Sequence, residues 1–67
     1  MTSFGKNLKY YRELRNLSEE QLAIKARVGK KIIENYESGE QIPNNETIFR
    51  LSTVLDVPVT ELTDRKS

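Results

Sequence analysis

Apolar positions along this chain fall at helical intervals, and the pattern predicts five short helices and no strand. Phe4, Leu8 and Tyr11 form the core stripe of a first helix from about Ser3 to Arg15, and Asn16 suits the left-handed position that ends it. A second helix begins at Ser18, where Gln21 completes an S-x-x-Q capping box in front of Leu22 and Ala23. Leu22, Ala26 and Val28 supply the inner face of that helix and of the turn after it, and Ala23 is small where another helix must cross closely. Gly29 serves as the permissive N-cap of a third helix of no more than about three turns. Ile33 and Tyr36 lie on its buried side, and Gly39 is its stop. Pro43 keeps the loop Glu40 to Asn44 from being helical. Asn44 caps a fourth helix, Asn45 to Leu55, with Ile48, Leu51, Val54 and Leu55 inside, and Asp56 ends it. Val57-Pro58 then opens a fifth helix to about Leu62, leaving Thr63 to Ser67 as a polar, frayed tail.

The stretch Leu17 to Gly39 reads as a helix-turn-helix, because its small, apolar and capping residues sit where two short helices crossing at a sharp turn need them. The spacing from Leu17-Ser18 through Ala23, Val28, Ile33, Tyr36-Glu37 and Gly39 to Pro43 resembles the phage repressor and Cro-like, or Xre, family of DNA-binding domains. The resemblance takes in Phe4-Gly5-Lys6, Leu8 and Arg12 upstream. Downstream it takes in Glu46-Thr47, Leu51, Leu55, Val57-Pro58 and Glu61-Leu62. It implies an all-α, five-helix, lambda-repressor-like domain with its helix-turn-helix at helices 2 and 3.

At 67 residues the chain is long enough for one small domain, with a core over about residues 4–62. It has no cysteine and no histidine, which excludes disulfides, thiol or imidazole chemistry and the usual zinc sites, so no metal or cofactor is expected. The carboxylates are scattered along helix surfaces, and no nucleophile–base pair or glycine-rich phosphate cradle is present, which argues against an enzyme. No apolar run approaches a membrane span and the first residues do not resemble a signal peptide, so the expected home is a bacterial or phage cytoplasm. A net charge of +1 conceals an asymmetry. Residues 1–31 carry eight basic and three acidic side chains, and residues 32–67 carry three basic and seven acidic ones. The basic half holds the turn and the start of helix 3, a field that suits a polyanion; a solvated charged surface is the plainer reading.

The resemblance also implies which residues meet DNA. In the family the first two positions of the third helix and the position of Asn35 read bases in the major groove, which points to Lys30, Lys31 and Asn35. Lysine suits guanine O6 and N7, and asparagine suits adenine. Glu34 accepts from cytosine N4 or, the preferred reading, repels phosphate at wrong sites. Ile32, where the family has a small polar residue, either meets a thymine methyl group or packs under the turn or at a protein contact. Ser18 and the amides of Glu19 and Glu20 occupy the phosphate-facing helix end, although a carboxylate at Glu19, where relatives carry glutamine, is unfavourable there. Arg27 stands where glycine is frequent, either strained in return for a phosphate contact or simply tolerated. Ser38, Gln41, Asn44 and Asn45 can donate to phosphate without releasing counterions, so modest affinity per monomer is expected.

Arg12 and Glu37 match family positions where an arginine of the first helix meets a glutamate at the end of the third. They are expected as a partly buried ion pair, with the arginine also able to face a phosphate. Val59 and Leu62, at i and i+3 on the fifth helix, are the expected dimer contacts. The implied function is a double-stranded-DNA-binding transcriptional regulator, a repressor acting as a homodimer on an inverted repeat. The other readings are an antitoxin or protein-interaction module of the same fold, whose acidic second half suits a basic partner, and the DNA-binding fragment of a larger regulator.

Overall fold

The computed structural model describes residues 4–63. Five helices follow in order: α1 (Phe4–Leu14), α2 (Glu19–Ala26), α3 (Lys30–Ser38), α4 (Asn45–Leu55) and α5 (Val59–Thr63). Among the described residues there is no strand. The expected start of the first helix at Ser3 and the tail beyond Thr63 lie outside these residues.

The boundaries of α2, α3 and α4 have local chemical causes. Ser18 Oγ accepts the Gln21 amide while Gln21 Oε1 accepts the Ser18 amide, so a reciprocal capping box opens α2. Asn44 Oδ1 accepts from the Thr47 amide and opens α4. Asn16, Arg27, Gly39 and Asp56 all take positive φ, at 59°, 61°, 89° and 58°. In this conformation the Arg27, Gly39 and Asp56 amides turn back onto the last carbonyls of α2, α3 and α4. Two arginines add to the closure of α4 and α2 from across the fold. Arg15 Nε donates to the Leu55 carbonyl at 2.7 Å, and Arg50 Nη1 donates to the Ala26 carbonyl at 3.2 Å.

The core is one cluster built on Leu8, Leu22, Ile33, Leu51, Leu55 and Leu62, each with essentially no exposed surface. Phe4 meets Tyr36 edge to face at 6.4 Å between ring centroids. α1 packs on α3 and α5, α2 on α3 and α4, and α4 on α5. Ala23 and Ala26 are buried on α2, whose neighbours include α3.

Three details depart from the pattern-based expectation. The buried position in the last turn of α1 is Arg12 rather than Tyr11, which is half-buried and donates to Glu61 of α5. Helix α5 starts at Val59, because the Val57 amide is committed to the Ser52 carbonyl as part of the stop of α4. Leu62, expected on a subunit surface, is wholly inside the monomer, with its carbonyl accepting from Asn7 Nδ2 of α1 at 3.0 Å. A side chain this deeply packed has no surface to offer a second subunit, so Leu62 is a core residue.

Candidate nucleic-acid interface

The turn between α2 and α3 gathers four exposed cations. Lys25, Arg27, Lys30 and Lys31 are all exposed within one short stretch that ends α2 and begins α3. Gly29 gives α3 no side-chain cap, so the first amides of this helix remain available to an anion or a base edge. Lys31 extends with its side chain 79% exposed and only a loose 3.9 Å approach to Glu34. Glu34 therefore stands beside the lysine pair and tempers it.

Asn35 lies one turn further along α3, half-buried, with its Nδ2 donating to Gln41 Oε1 at 2.8 Å. Lys30, Lys31, Glu34 and Asn35 all belong to this single short helix. Ile32 is half-buried and packs against the core, with its Cγ1 beside the position a side chain at Gly29 would take. Its partial burial favours the packing alternative over a thymine contact.

The expected phosphate donors divide by what already occupies them. Ser18 Oγ and Asn44 Oδ1 accept as helix caps, which leaves the Ser18 hydroxyl hydrogen and the Asn44 Nδ2 as donors, whereas Ser38 Oγ already donates to the Asn35 carbonyl at 3.1 Å. Asn45, like Gln41, is exposed. Arg27 is exposed and pays for its left-handed backbone, a conformation that costs a non-glycine residue about 1–2 kcal/mol.

Behind this surface Arg12 and Glu37 meet in a bidentate pair. Arg12 Nε donates to Glu37 Oε2 at 2.6 Å, Nη2 donates to Oε1 at 3.1 Å, and Nη1 donates to the Leu17 carbonyl at 2.8 Å. One guanidinium thus ties α1, the entry to α2 and the end of α3 together. Its hydrogen bond to Glu37 raises Arg12 above its ordinary range against the effect of burial, so it stays charged. Burial pushes the Glu37 carboxyl above the usual range, and the bond and charge of Arg12 pull it back only in part. The nearby charge of Glu19 adds to the upward push. Glu19 is half-buried in the first turn of α2, where the positive end of that helix favours its charge.

Sequence pattern alone missed two features of the folded domain. Phe49 is 65% exposed on α4 and borders a hollow of about 470 Å³ lined by Ser52, Thr53, Asp56, Val57, Pro58 and Val59. Its signal was a large aromatic residue off the inner Ile48–Leu51–Leu55 face. The Asn35–Gln41 contact crosses a loop, and no periodicity announces it.

A helix-turn-helix with an exposed, cation-bearing second helix defines a class of small DNA-binding domains. The chain matches the helix-turn-helix family HTH_3 over residues 8–62 and belongs to this family of regulators, of the Xre or Cro/C1 type. An HTH-type transcriptional regulatory protein of Methanococcus vannielii is 42% identical over 55 residues, which is 82% of this chain but 17% of that protein. The N-terminal DNA-binding domain of SinR from Bacillus subtilis superposes with a TM-score of 0.88 at 35% identity, covering 96% of this chain and 94% of that one. The restriction-modification controller protein C.AhdI from Aeromonas hydrophila gives 0.86 at 30% identity, covering 91% and 92%. The P22 c2 repressor domain, at 23% identity, shares the fold. No described helix is long and apolar enough to cross a membrane.

Proposed function

We propose that this domain binds duplex DNA by laying α3 in the major groove, as a two-fold dimer on an inverted repeat, and represses transcription there. The observation that carries this reading is the exposed start of α3, where Lys30 and Lys31 flank uncapped helix amides and Asn35 follows one turn later. Lys30 and Lys31 reach guanine edges, Asn35 reads adenine, and Glu34 rejects wrong sites by repulsion. Arg27, Gln41 and Asn45, with the N-terminal amides of α2, hold the backbone phosphates. Support from outside the chain comes from SinR, also solved in complex with DNA, which is similar at 35% identity over 91% of this chain and 98% of that one.

Dimerisation is assigned to the α4–α5 corner, with Phe49 and Val59 as its apolar contacts. A two-fold axis brings a patch against itself, so an exposed ring beside a hollow on the same face can fill its own copy. The chain spans 17% of its Methanococcus relative, which supports a role as the DNA-binding part of a longer regulator.

Selection of sites from a random duplex pool, followed by footprinting, tests the reading. An inverted repeat with half-site centres about 34 Å apart, or a multiple of that, is expected. Equal binding to every sequence, or no DNA binding alongside capture of a basic protein partner, would overturn it in favour of an interaction module.

A further inference from the structure

The loop after α3 is folded back onto a single residue. The Asn35 main-chain carbonyl accepts from the amides of Gly39 at 3.1 Å, Glu40 at 2.9 Å and Gln41 at 3.2 Å. The side chains repeat the contact, with Asn35 Nδ2 donating to Gln41 Oε1 at 2.8 Å. Gln41 is thus fixed by its own backbone at a site from which its side chain reaches the Asn35 amide.

This contact matters because of what it leaves open. A primary amide carries two N–H hydrogens and one acceptor oxygen. With one hydrogen committed to Gln41, Asn35 keeps a donor and an acceptor, the pair that an adenine edge requires at N7 and N6. An unrestrained amide rotates about its last torsion and presents its oxygen and nitrogen interchangeably. An amide held from one side presents them in a single order.

We propose that Gln41 is a positioning residue for base recognition: its side-chain carbonyl sets the orientation of the Asn35 amide and thereby selects adenine at one position of each half-site. The proposal rests on the reading that α3 enters the major groove. Its ligand is the adenine of an adenine–thymine pair, and the working group on Gln41 is the acceptor Oε1. The Gln41 amide nitrogen, on the far side of the same group, remains for a phosphate oxygen. The loop does not depend on this side chain, because its position is held by main-chain bonds and Gln41 is exposed.

The test is site selection from a random duplex pool with the full chain and its Gln41→Leu, Gln41→Glu and Asn35→Ala variants, each checked for native circular dichroism. The unaltered chain is expected to favour adenine at the Asn35 position by about 5- to 160-fold, the range of one good bidentate contact. Asn35→Ala removes that preference. Gln41→Leu, which has neither acceptor nor donor, binds all sites more weakly, brings the four bases at that position to within about threefold of one another and leaves base preference at the other positions unchanged. Gln41→Glu retains an acceptor and lacks the donor, so it keeps the adenine preference while binding all sites more weakly. An unchanged adenine preference in Gln41→Leu overturns the proposal. So does a Gln41→Glu profile as relaxed as that of Gln41→Leu, a loss of base preference spread evenly over all positions of the half-site, or an Asn35→Ala profile equal to that of the unaltered chain. An unaltered chain with no sequence preference overturns the groove-reading proposal itself, and this one with it.

Discussion

Arg12 on α1 holds Glu37 on α3 through two hydrogen bonds, and neither side chain is more than a tenth exposed. The pair fixes the end of the helix proposed to read DNA against the scaffold. Its value is conditional, since the Glu37 carboxylate is tolerable in the interior only beside Arg12. Arg12→Met alone should cost about 3–5 kcal/mol by stranding the Glu37 carboxylate, enough to unfold a domain of this size. Arg12→Met with Glu37→Leu should recover much of that loss. Thermal melts followed by circular dichroism compare the two, and a double variant no more stable than the single one would contradict the account.

Glu37 also sets a pH dependence. Burial, reinforced by Glu19, holds its carboxyl above the ordinary value of about 4.5 despite Arg12. The folded domain therefore keeps this proton to higher pH than the unfolded chain does. The associated stabilisation is fully present below pH 4.5 and is lost as pH rises through the raised folded value. Glu19→Gln removes one cause of the shift, so the decline should become shallower in urea titrations run from pH 4 upward. The change at neutral pH should be small, because Glu19 also gives up about 0.3–1 kcal/mol at the α2 N-terminus. An unchanged slope would separate Glu19 from Glu37.

At Gly5 the backbone of α1 lies close against that of α3. A Cβ there would lie 2.5 Å from the Glu37 carbonyl oxygen and 2.6 Å from that of Tyr36. Helix propensity alone makes Gly5→Ala stabilising by about 1 kcal/mol. The clash falls on backbone, so the expected result has the opposite sign, a loss of about 1–3 kcal/mol in chemical denaturation. A stabilised variant would mean that α3 can shift without cost.

What could be read in the sequence was the chemistry that acts locally. Ser18 with Gln21, Asn44 before Thr47, and Gly29 and Gly39 at the ends of α3 announce their boundaries within a few residues. Position on a face was legible where the helix was long enough to show a period, as for Ile48, Leu51 and Leu55. Leu62 was not, because an apolar residue in a five-residue helix suits a core or a partner equally, and only packing between α1, α4 and α5 decides. The Arg12–Glu37 pairing was legible only through family resemblance, since 25 residues separate the two. Gln41 was read as a phosphate donor because a loop shows no periodicity, and its side-chain partner depends on how the chain folds back.

Arg27 permits a direct test of a cation in the turn. Glycine at this position removes a left-handed strain of about 1–2 kcal/mol and gives back about 0.5–1 kcal/mol through the freer unfolded chain. Arg27→Gly should thus be slightly more stable than the unaltered chain. If Arg27 meets a phosphate, the same change should make DNA affinity less steeply dependent on salt, by about one unit of log–log slope. A full salt slope in a folded, stabilised variant would place Arg27 away from the backbone.

Phe49 and Leu62 belong to the same α4–α5 corner but face opposite ways, one 65% exposed and the other with no exposed surface. A charge has opposite consequences at the two sites. Leu62→Asp puts a carboxylate into the core and leaves a cavity, a combination that should unfold the domain outright. Phe49→Asp places its carboxylate in water and should leave the monomer's melting curve nearly unchanged. If the ring fills the neighbouring subunit's hollow beside Val59, this variant should sediment as a monomer, and its footprint should contract to one weakly protected half-site. Binding by the unaltered chain should then be steep in protein concentration and binding by the variant shallow. A folded Phe49→Asp protein that still sediments as a dimer and protects both half-sites would move the interface elsewhere.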